Sequence, residues 1–136
     1  MSKLAIDLTY QPVGGSLAQI TEIIKNIDSY NFSEVVFYLT KENRYLFDGF
    51  NSTKIVLEFV PFSNSAIVVR ALWAQLLLPF LLIMTRVDVL FCPGNISPIL
   101  RFVKKVQWVG TVGPFEPNFI SSFGWKQKVI LLVIKY

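Results

Sequence analysis

Five short apolar runs, separated by segments of a different period, restrict this chain to few architectures. The runs are Leu4–Ile6, Val35–Leu39, Ile55–Val60, Val87–Phe91 and Val106–Val109. They are rich in β-branched and aromatic residues, and most are unbroken rather than alternating with polar residues. A strand with one wet face alternates, whereas a continuously apolar strand is buried on both faces, the usual state in a parallel sheet. Parallel neighbours need long crossover connections. Here the connections carry helical spacing: Leu17, Ile20, Ile23, Ile24 and Ile27 in one, and Val68, Val69, Leu72, Trp73, Leu76 and Leu77 in another. The pattern predicts an α/β layered fold.

Breakers and caps divide the runs. Tyr10 to Ser16 reads as a loop, with Pro12 and Gly14-Gly15 as breakers and Ser16 as the N-cap of the first helix. Asn26 and the stretch Asp28 to Asn31 end that helix, and Lys41 to Phe47 suggests a short one before Gly49. Ser63-Asn64-Ser65 is placed to cap the second long helix, and Pro79 should end or kink it. The most apolar stretch, Ala71 to Met84, falls short of the ~20 residues of a spanning helix and reads as a buried core helix. Met1-Ser2-Lys3-Leu4 reaches Asp7 too soon for a secretory signal, so a cytoplasmic protein is expected, and the N-x-S/T triplets at Asn31, Asn51 and Asn95 read as chance matches.

Composition removes several chemistries. The 136 residues include one cysteine and no histidine, which excludes an internal disulfide framework, a His-based or Cys-rich metal site and any histidine-activated nucleophile. The net charge is +4, but the cations are scattered, with only Lys104-Lys105 adjacent. Nucleic acid is therefore not an expected partner; scattered cations read first as an ordinary solvated surface and second as a weak pull toward anionic membrane surfaces.

In parallel sheets ligands bind beyond the carboxyl ends of the strands. Three glycine- or proline-bearing loops leave such ends: Thr9 to Ser16, Cys92 to Pro98 and Gly110 to Pro117. Gly14-Gly15 before a helix allows close backbone approach and free N–H groups, which suits a phosphate, although a plain turn needs the same residues. Cys92 reads as a buried, inert thiol. The loop Gly110 to Pro117 is either a simple connection or a backbone lying against a sugar or diphosphate, with Glu116 near its rim. Asp7 either faces the crevice or holds a backbone turn. Trp73 reads as core, and Arg70 either meets an anion or stays at the surface.

Several segments together resemble one family. They are Ile6-Asp7, Gly14-Gly15 opening a helix, Arg70-x-Leu72-Trp73-x-Gln75-Leu76-Leu77-Leu78-Pro79, Val87-Asp88-Val89-Leu90-Phe91-x-Pro93-Gly94-Asn95, and Pro114-Phe115. In this order they resemble the N-terminal half of the family-4 retaining glycosyltransferases, from Lys3 to about Ile120. The resemblance implies a Rossmann-like parallel sheet with helices on both faces, one half of a GT-B fold. Residues 1–136 would be the N-terminal acceptor-side domain, cut short, with the C-terminal nucleotide-binding domain absent. Gly14, Gly15, Gly110 and Thr111 would border the donor diphosphate and sugar. Pro93, Gly94, Asn95 and Glu116 would shape the acceptor side.

The implied reaction is transfer of a hexosyl group from a nucleotide sugar to a glycan or lipid-linked acceptor in surface polysaccharide assembly. It needs no cofactor beyond the donor substrate and no metal, and it would run in the cytoplasm or at the inner face of the plasma membrane. Gly110 stands where many relatives carry a histidine, and Ala74 where many carry a glutamate. No catalytic side chain is assigned, and the chain alone is expected to be inactive. The resemblance also implies uncovered apolar surface around Trp108, Phe115, Phe119 and Val129 to Ile134. A different class of reading is a non-catalytic α/β binding or remnant module that pairs with a separately encoded domain. A third is a flavodoxin-like nucleotide-binding protein.

Overall fold

The computed structural model describes residues 2–94, 96–99 and 103–108. Five strands form one sheet: β1 (Ser2–Leu8), β2 (Phe32–Leu39), β3 (Ile55–Phe59), β4 (Val89–Cys92) and β5 (Lys104–Gln107). All are parallel, in the order β3-β2-β1-β4-β5. This is a Rossmann-like α/β sheet, as the unbroken apolar runs required. The chain builds outward from β1 to β3 and then returns to lay β4 on the other side of β1. That reversal leaves a crevice at the carboxyl ends of β1 and β4.

The strand boundaries differ from the apolar runs for local reasons. β4 begins at Val89 because Val87 closes the preceding helix and Asp88 is tied to β1. Lys3 N–H donates to Asp88 Oδ2 at 2.8 Å, and Asp88 N–H donates to Lys3 O at 3.0 Å. β5, at the edge of the sheet formed by the described residues, begins with the charged pair Lys104 and Lys105, which such a strand tolerates.

Side chains of β1 alternate between two cores. Leu4, Ile6 and Leu8 point to one face, against Ile20, Ile24 and Phe37. Ala5 points to the other, against Trp73, Leu78 and Leu82. The first face is covered by α1 (Gly15–Lys25) and by 3-10 turns at Ile27–Ser29 and Lys41–Phe47. Gly14, not Ser16, occupies the N-cap of α1, with φ +54° and ψ −126°, a region that glycine reaches without strain. The Ser16 hydroxyl turns back on the loop instead, accepting from Val13 N–H and donating to Val13 O.

The second face is covered by one helical segment, α2 (Ile67–Leu72), a π turn (Trp73–Leu77) and α3 (Leu78–Met84). Its N-cap is Ala66, without a side-chain cap bond; Ser63 and Ser65 pair with each other. Pro79 does not end the segment. In a regular helix its ring would crowd the carbonyl of Gln75, and the π turn just before it, closed by Leu78 N–H on Trp73 O, makes room.

The π turn also explains how the segment keeps its faces. Ala74, Leu78 and Leu82 are buried at strict four-residue intervals, while Val68, Leu72, Leu76, Phe80 and Met84 are 55–66% exposed at the same interval. Four residues overshoot a regular turn by ~40°, so that spacing would wind around the helix by roughly 160° from Val68 to Met84. One surplus residue absorbed in a π turn removes about 100° of that drift. The expected core helix is therefore buried on one side only. The window Ile67–Met84 has a mean hydropathy of 2.1, is long and apolar enough to cross a membrane by composition, and is 28% buried.

The segment ends in a Schellman cap. Arg86 N–H donates to Ile83 O and Val87 N–H to Leu82 O, with Arg86 at φ +53° where glycine is usual.

Candidate functional site

The loops after β1 and β4 meet in a cleft of about 610 Å³ at the carboxyl ends of the strands. From the first loop come Tyr10, Gln11 and Val13, and from the start of α1 come Gly15, Ser16 and Gln19. The second loop supplies Pro93 and Gly94, and Trp108 closes the side after β5. Four of the expected site residues are thus brought to one place: Gly15, Pro93 and Gly94 in the wall, and Gly14 as the N-cap behind it. Asn95, Gly110, Thr111 and Glu116 lie outside the described residues, as do Phe115, Phe119 and Val129 to Ile134.

The two glycines in the wall serve different ends. A Cβ on Gly94 would lie 3.0 Å from the Tyr10 ring, so that glycine lets the two loops touch. A Cβ on Gly15 would meet nothing within 4 Å. Packing does not demand glycine there, and its absence of side chain leaves the first turn of α1 bare to the cleft. The N–H groups of that turn have no partners within the helix and carry its positive dipole end.

Buried polar groups hold this architecture from behind. Asn43, fully buried in the Lys41–Phe47 turn, donates through Nδ2 to Leu8 O at 2.7 Å and to Tyr10 O at 2.6 Å, fixing the exit of β1. Gln75, in the π turn, donates to Ser97 O and accepts from Ile99 N–H, both at 2.8 Å, fixing the loop after β4. Lys105 Nζ adds a 2.6 Å bond to Pro98 O. Asp7 holds the turn after β1, accepting Thr9 N–H at 3.0 Å, one of its two expected roles.

The electrostatics centre on Asp7, Tyr10 and Arg70. Burial pushes the Asp7 carboxyl above its usual range, opposed by hydrogen bonding from Thr9 and by the Arg70 charge. Burial also lowers the Arg70 guanidinium, opposed by Asp7 and Tyr10. The guanidinium carbon lies 5.8 Å from the centre of the Tyr10 ring, and Nε has no hydrogen-bond partner. Arg70 therefore places a cation one layer behind the cleft wall. Trp73 is core as expected, edge-on to Tyr38 and Phe62. Cys92 is fully buried, and burial drives its thiol well above the usual value, so it is no nucleophile.

Chemically the cleft offers backbone donors, a helix dipole, an aromatic wall and neutral hydrogen-bonding groups. Among these, Gln19 Oε1 is buried and has no hydrogen-bond partner. Among the described residues no three potential metal ligands gather. The arrangement suits binding of an anionic or hydroxyl-bearing ligand; among the described residues it brings together no activated nucleophile and no exposed general base.

Sequence reasoning located the glycine and proline positions from their loops. It missed Tyr10, Asn43 and Gln19. Tyr10 carried a usable signal, an aromatic in the loop leaving a central strand. Asn43 carried none, being one amide in a polar run. Comparison of the chain with family models, curated proteins and solved structures finds no match to any of them.

Proposed function

We propose that this chain is the acceptor-side domain of a nucleotide-sugar-dependent glycosyltransferase of GT-B architecture. The observation that carries the reading is the cleft at the β1/β4 switch point, where Gly15 at the bare start of α1 and Pro93-Gly94 share one wall, with Gly14 behind it as the N-cap. These belong to two of the segments on which the family resemblance rests. The orphan Gln19 Oε1 supports a hydroxyl-bearing ligand such as a sugar, because a buried acceptor without a partner costs free energy that a ligand donor recovers.

In this reading the first-turn N–H groups of α1 face the leaving diphosphate and stabilise charge as the glycosidic bond breaks. Arg70 adds positive potential through the Tyr10 layer. The acceptor lies against Pro93, Gly94 and Trp108. In this reading the nucleotide-binding half is a separate domain, so the chain alone turns over no nucleotide sugar.

The test is a titration of the isotope-labelled chain with nucleoside diphosphate sugars and with glycan acceptors, followed by amide resonances. Shifts are expected at Gly14, Gly15, Ser16, Gly94 and Trp108. Saturating ligand with no shift at these residues would remove the proposal. Turnover by the isolated chain would overturn the assignment of the chemistry to a second domain.

A further inference from the structure

The buried row Leu82, Leu78 and Ala74 runs along the inward side of the Ile67–Met84 segment, and the next residue at the same interval is Arg70. The segment enters from β3, so this end of the row stands toward the carboxyl ends of the strands. A guanidinium thus occupies the place where the row leaves the core and reaches the cleft. We propose that Arg70 seats the anion of the acceptor, holding a phosphate ester past the edge of the Tyr10 ring. The inference rests on the glycosyltransferase reading and narrows its acceptor to a phosphorylated one.

Three observations carry it. First, the guanidinium lacks the acceptors that a buried cation needs. Its Nε is enclosed without a hydrogen-bond partner, while the residue as a whole keeps some exposure. Lys3–Glu34 is the only ion pair among the described residues, so Asp7 attracts Arg70 only from a distance. Asp7 Oδ1 is itself taken by Thr9 N–H. What holds Arg70 is the Tyr10 ring, 5.8 Å from the guanidinium carbon to the ring centre, a contact that leaves the N–H donors of the fork unused. Second, Trp73, one turn along the same inward side, repeats the shortage: its Nε1 is buried and has no partner. Arginine and tryptophan side chains donate hydrogen bonds and accept none. Both therefore ask for a group rich in acceptors, and an oxyanion offers a fork its strongest partner. Third, position selects the acceptor over the donor. The N–H groups at Gly15 and Ser16 face the cleft from α1, whereas Arg70 rests on Tyr10, the ring against which Gly94 of the acceptor wall is packed.

The experiment follows the Arg70 Nε–H and Trp73 indole N–H resonances of the isotope-labelled chain. The probes are a hexose monophosphate, the same hexose without phosphate, and a nucleoside diphosphate. The hexose phosphate is expected to shift both signals and the free hexose neither, while the nucleoside diphosphate shifts the amides of Gly15 and Ser16 instead. Arg70→Met, which keeps the apolar stem, should weaken hexose phosphate binding at least about tenfold. Arg70→Lys, which keeps the charge but not the fork, should weaken it several-fold. An Arg70 signal of the parent chain that stays unmoved at millimolar hexose phosphate would reduce the residue to a support for Tyr10 and overturn the proposal, whatever the variants do. Competition by the nucleoside diphosphate for the Arg70 signal would overturn it too, since one anion seat would then serve the donor. Shifts at Gly15 and Ser16 with none at Arg70 would sink this inference and leave the glycosyltransferase reading in place. Shifts at Arg70 with none at Gly15 or Ser16 from the nucleoside diphosphate would keep the anion seat and remove that reading.

Discussion

The helices on the two faces of the sheet make a useful pair. α1 buries Ile20 and Ile24 against β1 and β2 and shows Ala18, Glu22 and Lys25 to water. The Ile67–Met84 segment buries Trp73, Ala74, Leu78 and Leu82 just as firmly, yet its outside is as apolar as its inside. The inner sides obey the same packing physics. The outer sides differ because only α1 is built to end at water. Stability and surface behaviour are therefore separable on the second helix in a way that they are not on the first.

The largest expected effect tests the inner side of that helix. Trp73→Ala removes a ring packed against Tyr38 and Phe62 and should cost about 3–5 kcal/mol in denaturant unfolding. A loss below 1 kcal/mol would mean the second face is loosely packed and the comparison fails. On the α1 side, Asn43→Ala strips a buried donor from the carbonyls of Leu8 and Tyr10. About 2–3 kcal/mol should be lost. Gly14→Ala places a Cβ at φ +54° and should cost about 1–2 kcal/mol, measurable as a shift in denaturation midpoint with an unchanged m-value.

A pH series separates the faces in another way. Burial raises Asp7 in the folded state above its usual 3.8, so the folded chain holds more protons between those two values. Stability should then fall as pH rises through that window. Asp7→Asn should flatten the decline and leave the chain more stable at neutral pH. A Tm profile with the same slope in both proteins would show that Asp7 is not the group responsible. The smallest effect is expected outside: Leu76→Ser should change stability by less than about 0.5 kcal/mol, an order of magnitude below Trp73→Ala on the same helix.

Much of this was legible before any coordinates. Unbroken runs such as Val35–Leu39 carry the parallel sheet, because burial on both faces leaves a signature in every residue. Gly14-Gly15 and Pro93-Gly94 marked the cleft, because tight turns at strand ends restrict residue type. The bare helix face was not legible from composition alone: an apolar residue reads the same whether it faces a core or a solvent. A signal did exist in the four-residue interval of Val68, Leu72, Leu76, Phe80 and Met84, which a 3.6-residue helix cannot hold on one side. Asp7 was left between the crevice and a backbone turn, and Arg70 between an anion and the surface; the latter's place depends on Tyr10, sixty residues away in the chain. The caps expected at Ser16 and within Ser63–Ser65 fall instead at Gly14 and Ala66, which hold those positions without side-chain bonding.

The touch between Gly94 and Tyr10 sets a tolerance for the whole cleft. With 3.0 Å available to a Cβ, even one methyl at position 94 must displace the tyrosine ring. That ring is also the platform on which Arg70 rests. A change of one carbon atom in the second loop would therefore be felt as a relocated positive charge on the far side of the first. The cleft's calibre and its electric field share a single adjustment, and the smallest side chain in the wall is where it is made.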